Sequence, residues 1–168
     1  MVDVVVCGVG GQGVLLLAEV LGRAAMLSGL DVRVSEIHGM AQRGGSVICH
    51  VRAREGRVYA PTVMDGSADV LLALELSEAL RAIRYAGPRT LALVSTRAIR
   101  PVMVSLGMAT YPSREAVEKM LRGAGANILF IDALRLAEEA GSPLAQNMVM
   151  AGALHATGAF PAKREALL

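Results

Sequence analysis

The chain has 168 residues, two cysteines, no tryptophan and a net charge of +2 from 17 basic and 15 acidic side chains. With 54% apolar residues and only 3% aromatic ones, its core must be aliphatic, and a chain of this length is expected to fold as one domain that needs no disulfide or metal staple. Two thiols are too few for a four-cysteine iron–sulfur cluster and lack the spacing of a zinc site. The balanced charge leaves no basic footprint for nucleic acid. No run of about 18 uncharged apolar residues suggests a membrane span, and no basic n-region or cleavable apolar leader opens the chain. The expectation is a cytoplasmic protein in which Cys7 and Cys49 are buried free thiols.

In chain order, the β-branched run Val2 to Cys7 predicts a buried strand. It ends at Gly8-Val9-Gly10-Gly11-Gln12-Gly13, and the apolar residues that follow recur at helical spacing until Gly29 offers a stop. Leu30 to Ile37 predicts a second strand, closing one βαβ unit. His38 to Ser46 is too polar and glycine-rich for a regular element and reads as a loop. Val47 to Arg54 alternates, with Val47, Cys49, Val51 and Ala53 on one face and Ile48, His50, Arg52 and Arg54 on the other. His50 therefore belongs with solvent or an interface. Val58-Tyr59-Ala60 is placed to pair back as a short hairpin strand.

Asp69 to Leu74 is a further buried strand, and Ser77 is placed to N-cap a helix from Glu78 to Tyr85. Thr90 to Val94 predicts a strand, and Ser95 to Tyr111 a looser segment containing Pro101. A helix starts at Pro112-Ser113 and stops at Gly123; Asn127 to Ile131 is a strand; Asp132 starts another helix; Asn147, read as a cap, opens the last one, to Thr157. Alternating strands and helices imply an α/β fold, a Rossmann-like three-layer sandwich with a mostly parallel, mixed sheet.

Two loops carry candidate chemistry. Gly8, Gly10 and Gly13 fit G-x-G-x-x-G between a strand and a helix, where glycines permit a tight turn and free N–H groups attract an anion. Gly11 and Gln12 lie inside that turn, Gln12 with its amide facing either the anion or a partner protein. Glu36 stands roughly where a ribose-binding acid would lie in a dinucleotide site. In the second loop His38, Gln42, Arg43 and Ser46 are set among glycines that include Gly44 and Gly45. Ligands of open α/β sheets bind outside the carboxyl ends of strands, so the two loops should line one crevice, with Arg43 placed to grip a phosphate or carboxylate. Glu75 ends a strand near the same place.

The segments VVVCGVGGQGVLLLAEVLGRAA and SEIHGMAQRGGSVICHVR resemble the gamma-type domain of 2-oxoacid:ferredoxin oxidoreductases, and the form HGMAQRGGSV resembles the small subunits of the indolepyruvate branch. The likeness continues through ADVLLALELSEALRAIRY, IDALRLAEEAG and NMVMAGAL, nearly the whole chain. One departure is Glu75-Leu76, where the family usually has Glu-Pro. The resemblance implies a single gamma-type domain over residues 1–168, working with a large subunit that carries thiamine diphosphate and 4Fe–4S clusters. The complex would convert an indolepyruvate- or arylpyruvate-type 2-oxoacid to acyl-CoA, CO2 and reduced ferredoxin. This chain would hold no cofactor alone, would bear on access of coenzyme A, and would meet ferredoxin only indirectly. Without its partner it is expected to be inactive, and the sequence leaves open whether the isolated chain forms a homodimer. Two other readings stay open, a stand-alone NAD-binding protein and a non-catalytic docking scaffold.

Overall fold

A computed structural model describes residues 1–39 and 44–166. Six strands form one sheet in the order β2-β3-β1-β4-β5-β6, comprising β1 (Val2–Val9), β2 (Asp31–His38), β3 (Ser46–Arg54), β4 (Val70–Ala73), β5 (Leu91–Ser95) and β6 (Asn127–Ile131). The pairs β1–β4, β4–β5 and β5–β6 are parallel, whereas β3 runs antiparallel to both β1 and β2. The mixed, mostly parallel sheet is the one expected from the alternation of elements.

The helices are α1 (Val14–Leu27), α2 (Leu76–Arg81), α3 (Val102–Ser105), α4 (Arg114–Gly123), α5 (Ala133–Glu139) and α6 (Gln146–Ala156). Leu17 and Leu21 of α1 and Met150 and Leu154 of α6 cover one face of the sheet, over Val4, Val6, Val51, Leu72 and Leu93. Ala79 of α2 and Val117 and Leu121 of α4 cover the other, over Val5, Cys7, Leu71, Ala92 and Val94. Period-two alternation supplies both apolar faces of the central strands. None of the described helices is long and apolar enough to cross a membrane. Cys7 and Cys49 are buried free thiols, and burial pushes the Cys49 thiol up to about 11.

Several local expectations are corrected. The βαβ unit exists, but β2 is not the neighbour of β1, because β3 lies between them. Val58–Ala60 forms no strand. Its backbone bonds side chains instead: Val58 N–H donates to Asp31 Oδ2 at 2.6 Å, and Ala60 C=O accepts from Arg52 Nη1 at 3.1 Å. Arg52 is also paired through two nitrogens with Asp3, its partner across β1–β3, at 2.8 and 2.9 Å. Helix α2 begins two residues before the expected Glu78, and its N-cap is Glu75 rather than Ser77.

His50, expected at solvent or an interface, is fully buried. The chain after β3 returns over it: Nδ1 accepts from Val63 N–H at 3.2 Å, and the ring packs edge-to-face on Tyr85 with centroids 5.0 Å apart. Burial, then the charges of Arg84 and Arg52, hold its pKa below the ordinary value of 6.5. The unfolded chain therefore takes up this proton more readily than the folded one. The contribution of His50 to stability is full above pH ~6.5 and falls as the pH drops toward the folded value. His50→Asn keeps an acceptor and removes the titration; denaturant unfolding at pH 7.5 and 5.5 should show a smaller acid loss in the variant than in the parent.

Candidate functional site

The site is built where the direction of helix connections reverses. The chain leaves β1 for α1 on one face of the sheet and leaves adjacent β4 for α2 on the opposite face. This opens a crevice at the carboxyl ends of β1 and β4. The turn after β1 forms its floor. Gly11 and Gly13 have φ of +100° and +76°, which glycine adopts without the steric penalty of a side chain. Gly8, continuing the strand, is closely packed: a Cβ there would lie 2.8 Å from Val14 Cγ2 and 3.1 Å from Leu74 Cβ.

Helix α1 starts without a side-chain cap and without an acid in its first turn, its N-cap being Gly13. The amides of Gly11 and Gly13 find no acceptor among the described residues. The positive end of a helix of 14 residues is thus left open beside the crevice. The side-chain amide of Gln12 is engaged within the fold. Its Oε1 accepts from Val9 N–H at 2.8 Å and its Nε2 donates to Leu74 C=O at 2.9 Å, so it braces the turn against the end of β4.

The second loop arrives at the same place because β2 runs in the same direction as β1, with antiparallel β3 between them. Gly44 and Gly45, which lead into β3, therefore lie at the carboxyl end of β1. Gly10 N–H donates to Gly45 C=O at 2.8 Å, and Gly44 N–H to Gly10 C=O at 3.4 Å. His38 lies in an apolar groove of about 460 Å³ with Gly10, Gly11, Gly13, Leu15, Leu16 and Val47. Ser46, the first residue of β3, turns away from the groove and donates through Oγ to Glu78 Oε2. Gln42 and Arg43 lie outside the described residues.

Across the ridge made by Gly10 and Gly11 lies a second, more polar recess of about 290 Å³. Gln12, Gly44, Leu74, Arg97, Ile99 and Gln146 contribute to its wall, and Gln146 Oε1 is buried without a partner among the described residues. Arg97 was not anticipated from the sequence. It follows the end of β5 by two residues, so applying the strand-end rule to every parallel strand would have found it. Its carbonyl accepts from Leu76 N–H at 3.0 Å, a bond that the proline usual at this position in the resembled family lacks the proton to make.

Two further residues have structural places. Glu75, fully buried, accepts from Ser77 N–H, Ser77 Oγ and Glu78 N–H through one oxygen, and from Ile99 N–H and the Tyr111 hydroxyl through the other. The Tyr111 phenol is raised well above its ordinary value by burial and by its hydrogen bond to this carboxylate. Asn147 does not cap α6; it lies within the helix, and its Nδ2 donates to Gly13 C=O at 3.3 Å. Glu36 sits on the exposed edge strand, 3.5 Å from His38. A ribose-binding acid belongs on the strand beside β1. That position is occupied by β3, which places Glu36 about 4.8 Å farther out and removes the geometry of a dinucleotide site.

Residues 3–168 match the family "Pyruvate ferredoxin/flavodoxin oxidoreductase". The chain is 46% identical over 164 residues to indolepyruvate oxidoreductase subunit IorB of Thermococcus kodakarensis, covering 97% of this chain and 81% of that one. It is 45% identical to the subunit of the same name from Archaeoglobus fulgidus, covering 95% and 78%. Among solved structures, a keto/oxoacid ferredoxin oxidoreductase gamma subunit from Geobacter sulfurreducens superimposes with a TM-score of 0.66 at 20% identity, over 99% of this chain and 82% of that one. The 2-oxoglutarate:ferredoxin oxidoreductase of Magnetococcus marinus, with 2-oxoglutarate, coenzyme A and succinyl-CoA bound, superimposes with a TM-score of 0.74 at 22% identity; this chain spans 99% of itself and 25% of that longer one. The chain thus belongs to the pyruvate ferredoxin/flavodoxin oxidoreductase family, alongside the indolepyruvate oxidoreductase subunits, and it shares the fold of the Geobacter gamma subunit.

The turn and α6 are coupled by contact. A Cβ at Gly13 would collide with Asn147 Nδ2, and the residue would keep a positive φ. Gly13→Ala should cost about 2–4 kcal/mol from the two effects together. In the Gly13→Ala/Asn147→Ala double variant the collision is gone, so urea unfolding should show less destabilisation than the sum of the singles, by about 1–2 kcal/mol.

Proposed function

We propose that this chain is the cytoplasmic small subunit of an indolepyruvate- or arylpyruvate-type 2-oxoacid:ferredoxin oxidoreductase, and that its crevice receives the diphosphate end of coenzyme A. In that assembly the large subunit carries thiamine diphosphate and the 4Fe–4S clusters, and ferredoxin takes the electrons. This chain works as a single gamma-type domain. It borders the path by which coenzyme A enters to accept the acyl group.

The observation that carries the reading is a conjunction at one ridge. Gly10 and Gly11 are shared by two hollows, one lined by the open start of α1 at Gly13 and Val14 and the other lined by Arg97. Backbone N–H groups at a helix start and a guanidinium fork are complementary to a diphosphate. The neighbouring groove, lined by Leu15, Leu16 and Val47, suits the less polar arm of the same ligand. His38, Gln42, Arg43, Gly44 and Gly45 complete the proposed contacts from the hairpin loop. Gly8, Gln12 and Ser46 hold the two loops in shape.

Exposed apolar side chains support the role of a subunit. Leu15, Leu16, Met26 and Leu27 project from α1, Val34 and Ile37 lie on edge strand β2, and Leu27 is 75% exposed. Such a face suits burial against a large partner. In the absence of that partner, the same face drives self-association of the chain.

Two measurements test this. With the two-subunit enzyme reconstituted and viologen reduction followed at varied coenzyme A, Arg97→Ala should raise the KM for coenzyme A about tenfold, as expected for loss of a charge-assisted contact, with kcat little changed; an unaltered KM rejects the crevice as the site. The Met26→Lys/Leu27→Lys variant should fold, by circular dichroism, yet fail to co-purify with the large subunit. Undiminished co-purification removes this face of α1 from the interface.

A further inference from the structure

We propose that Glu75 and Glu78, at the start of α2, are positioning residues that together set the two lips of the crevice. Glu75 holds the segment carrying Arg97, and Glu78 holds the Gly44–Ser46 end of the hairpin loop. The inference rests on the reading that coenzyme A occupies the crevice.

The observation behind it is that the two carboxylates do far more than helix α2 requires. That helix has six residues, and one oxygen of Glu75 caps it, accepting from Ser77 N–H at 2.7 Å and Glu78 N–H at 3.0 Å. A serine, threonine or asparagine at the same position would meet that need. The second oxygen of Glu75 reaches out of the helix to Ile99 N–H at 2.9 Å and to the Tyr111 hydroxyl. With Leu76 N–H bonded to Arg97 C=O at 3.0 Å, the peptides on both sides of residue 98 are tied to the first turn of α2. Arg97 is therefore displayed from a clamped segment.

Glu78 works in the opposite direction. Only 4% exposed, it bonds Arg81 Nε at 3.0 Å through Oε1 and accepts from Ser46 Oγ through Oε2. Ser46 follows directly on Gly44 and Gly45, whose backbone meets Gly10. One side chain thus connects α2, on one face of the sheet, to the Gly44–Ser46 segment that meets the glycine turn. Burial raises the pKa of Glu78, and the Ser46 bond opposes that rise. Two buried carboxylates three residues apart are costly, and the contacts reaching the two lips are among those that offset the cost. Hydrogen bonds to a carboxylate are about twice as strong as neutral ones, which suits them to hold the two lips.

The test uses the assembled two-subunit enzyme. Glu78→Ala should raise the KM for coenzyme A about tenfold, as loss of a charge-assisted bond allows, with kcat at saturation little changed. Amide hydrogen exchange should quicken over Gly44–Val47 and stay unchanged over Arg97–Ile99. Glu78→Gln retains an acceptor for Ser46 and should restore the parent KM to within about threefold. Ser46→Ala, which leaves the carboxylate intact, should reproduce the Glu78→Ala shift, and decides the matter if Glu78→Ala does not assemble. Glu75→Gln should quicken exchange over Arg97–Ile99 and raise the same KM. Unchanged exchange at both lips overturns the proposal, as does a fall in kcat with the KM for coenzyme A unaltered. Quickened exchange with the KM for coenzyme A unmoved, in these variants and in Arg97→Ala, supports the positioning role and rejects coenzyme A as the occupant.

Discussion

Strands β1 and β3 pair antiparallel along their full common length, from Val2 opposite Ala53 to Val9 opposite Ser46. The site depends on that register. It sets Ser46 at the end of β1, brings Gly44 and Gly45 against Gly10, and keeps β2 out at the edge. A shift of one residue would turn Cys49, Val51 and Ala53 out of the core. It would also separate Asp3 from Arg52, the nearly buried ion pair that locks the far end of the ladder and holds the return segment at Ala60 and Thr62. One pairing thus connects the packing of the sheet to the meeting of two loops.

At the point where the helices change sides, the two helix starts are treated in opposite ways. Helix α1 begins on Gly13, with no acid in its first turn and no side-chain cap. Helix α2 begins on a buried carboxylate that accepts two of its amides. The partial positive charge at a helix start attracts anions, so an external anion has one open end to approach and one already satisfied. Arg97 adds a positive charge on the same side, while the acids Glu75 and Glu78 stay buried behind the lips.

The excess of aliphatic residues divides into two populations. The central strands and the inner stripes of α1, α4 and α6 are buried. A second set, which includes Leu15, Leu16, Met26, Leu27, Val34 and Ile37, stands on the surface around α1 and β2. A chain that must pack against another subunit needs both sets, one for its own sheet and one for the joint surface. Composition by itself does not separate them, because a helix whose apolar stripe is wider than the sheet it covers looks the same in sequence as one that is wholly internal.

Local signals were legible from the residues. The first strand, the glycine turn, α1 and β6 lie where periodicity and turn chemistry put them, although β1 runs two residues past the expected Cys7, and Ser113 and Asp132 cap α4 and α5 as their positions suggest. The two glycine loops, and their meeting, followed from the motifs and the direction of the strands. What needed the tertiary structure were relations between residues far apart in the chain. The pattern of β3 identifies its two faces but not the segment at Val63 that covers His50. The capping rules favoured Ser77, because a glutamate is a poor cap until Ile99 and Tyr111 arrive to occupy its second oxygen. Asn147 and Gly13 are 134 residues apart and meet only because α6 packs beside α1. The sequence alone determined most of the strands and helices and the glycine turn after β1, since those depend on neighbours within a few residues. The insertion of β3 beside β1, the burial of His50 and Glu75, and the placing of Arg97 in a recess beside the glycine turn were decided by the tertiary structure, because each depends on segments that the chain brings together only when the sheet has formed.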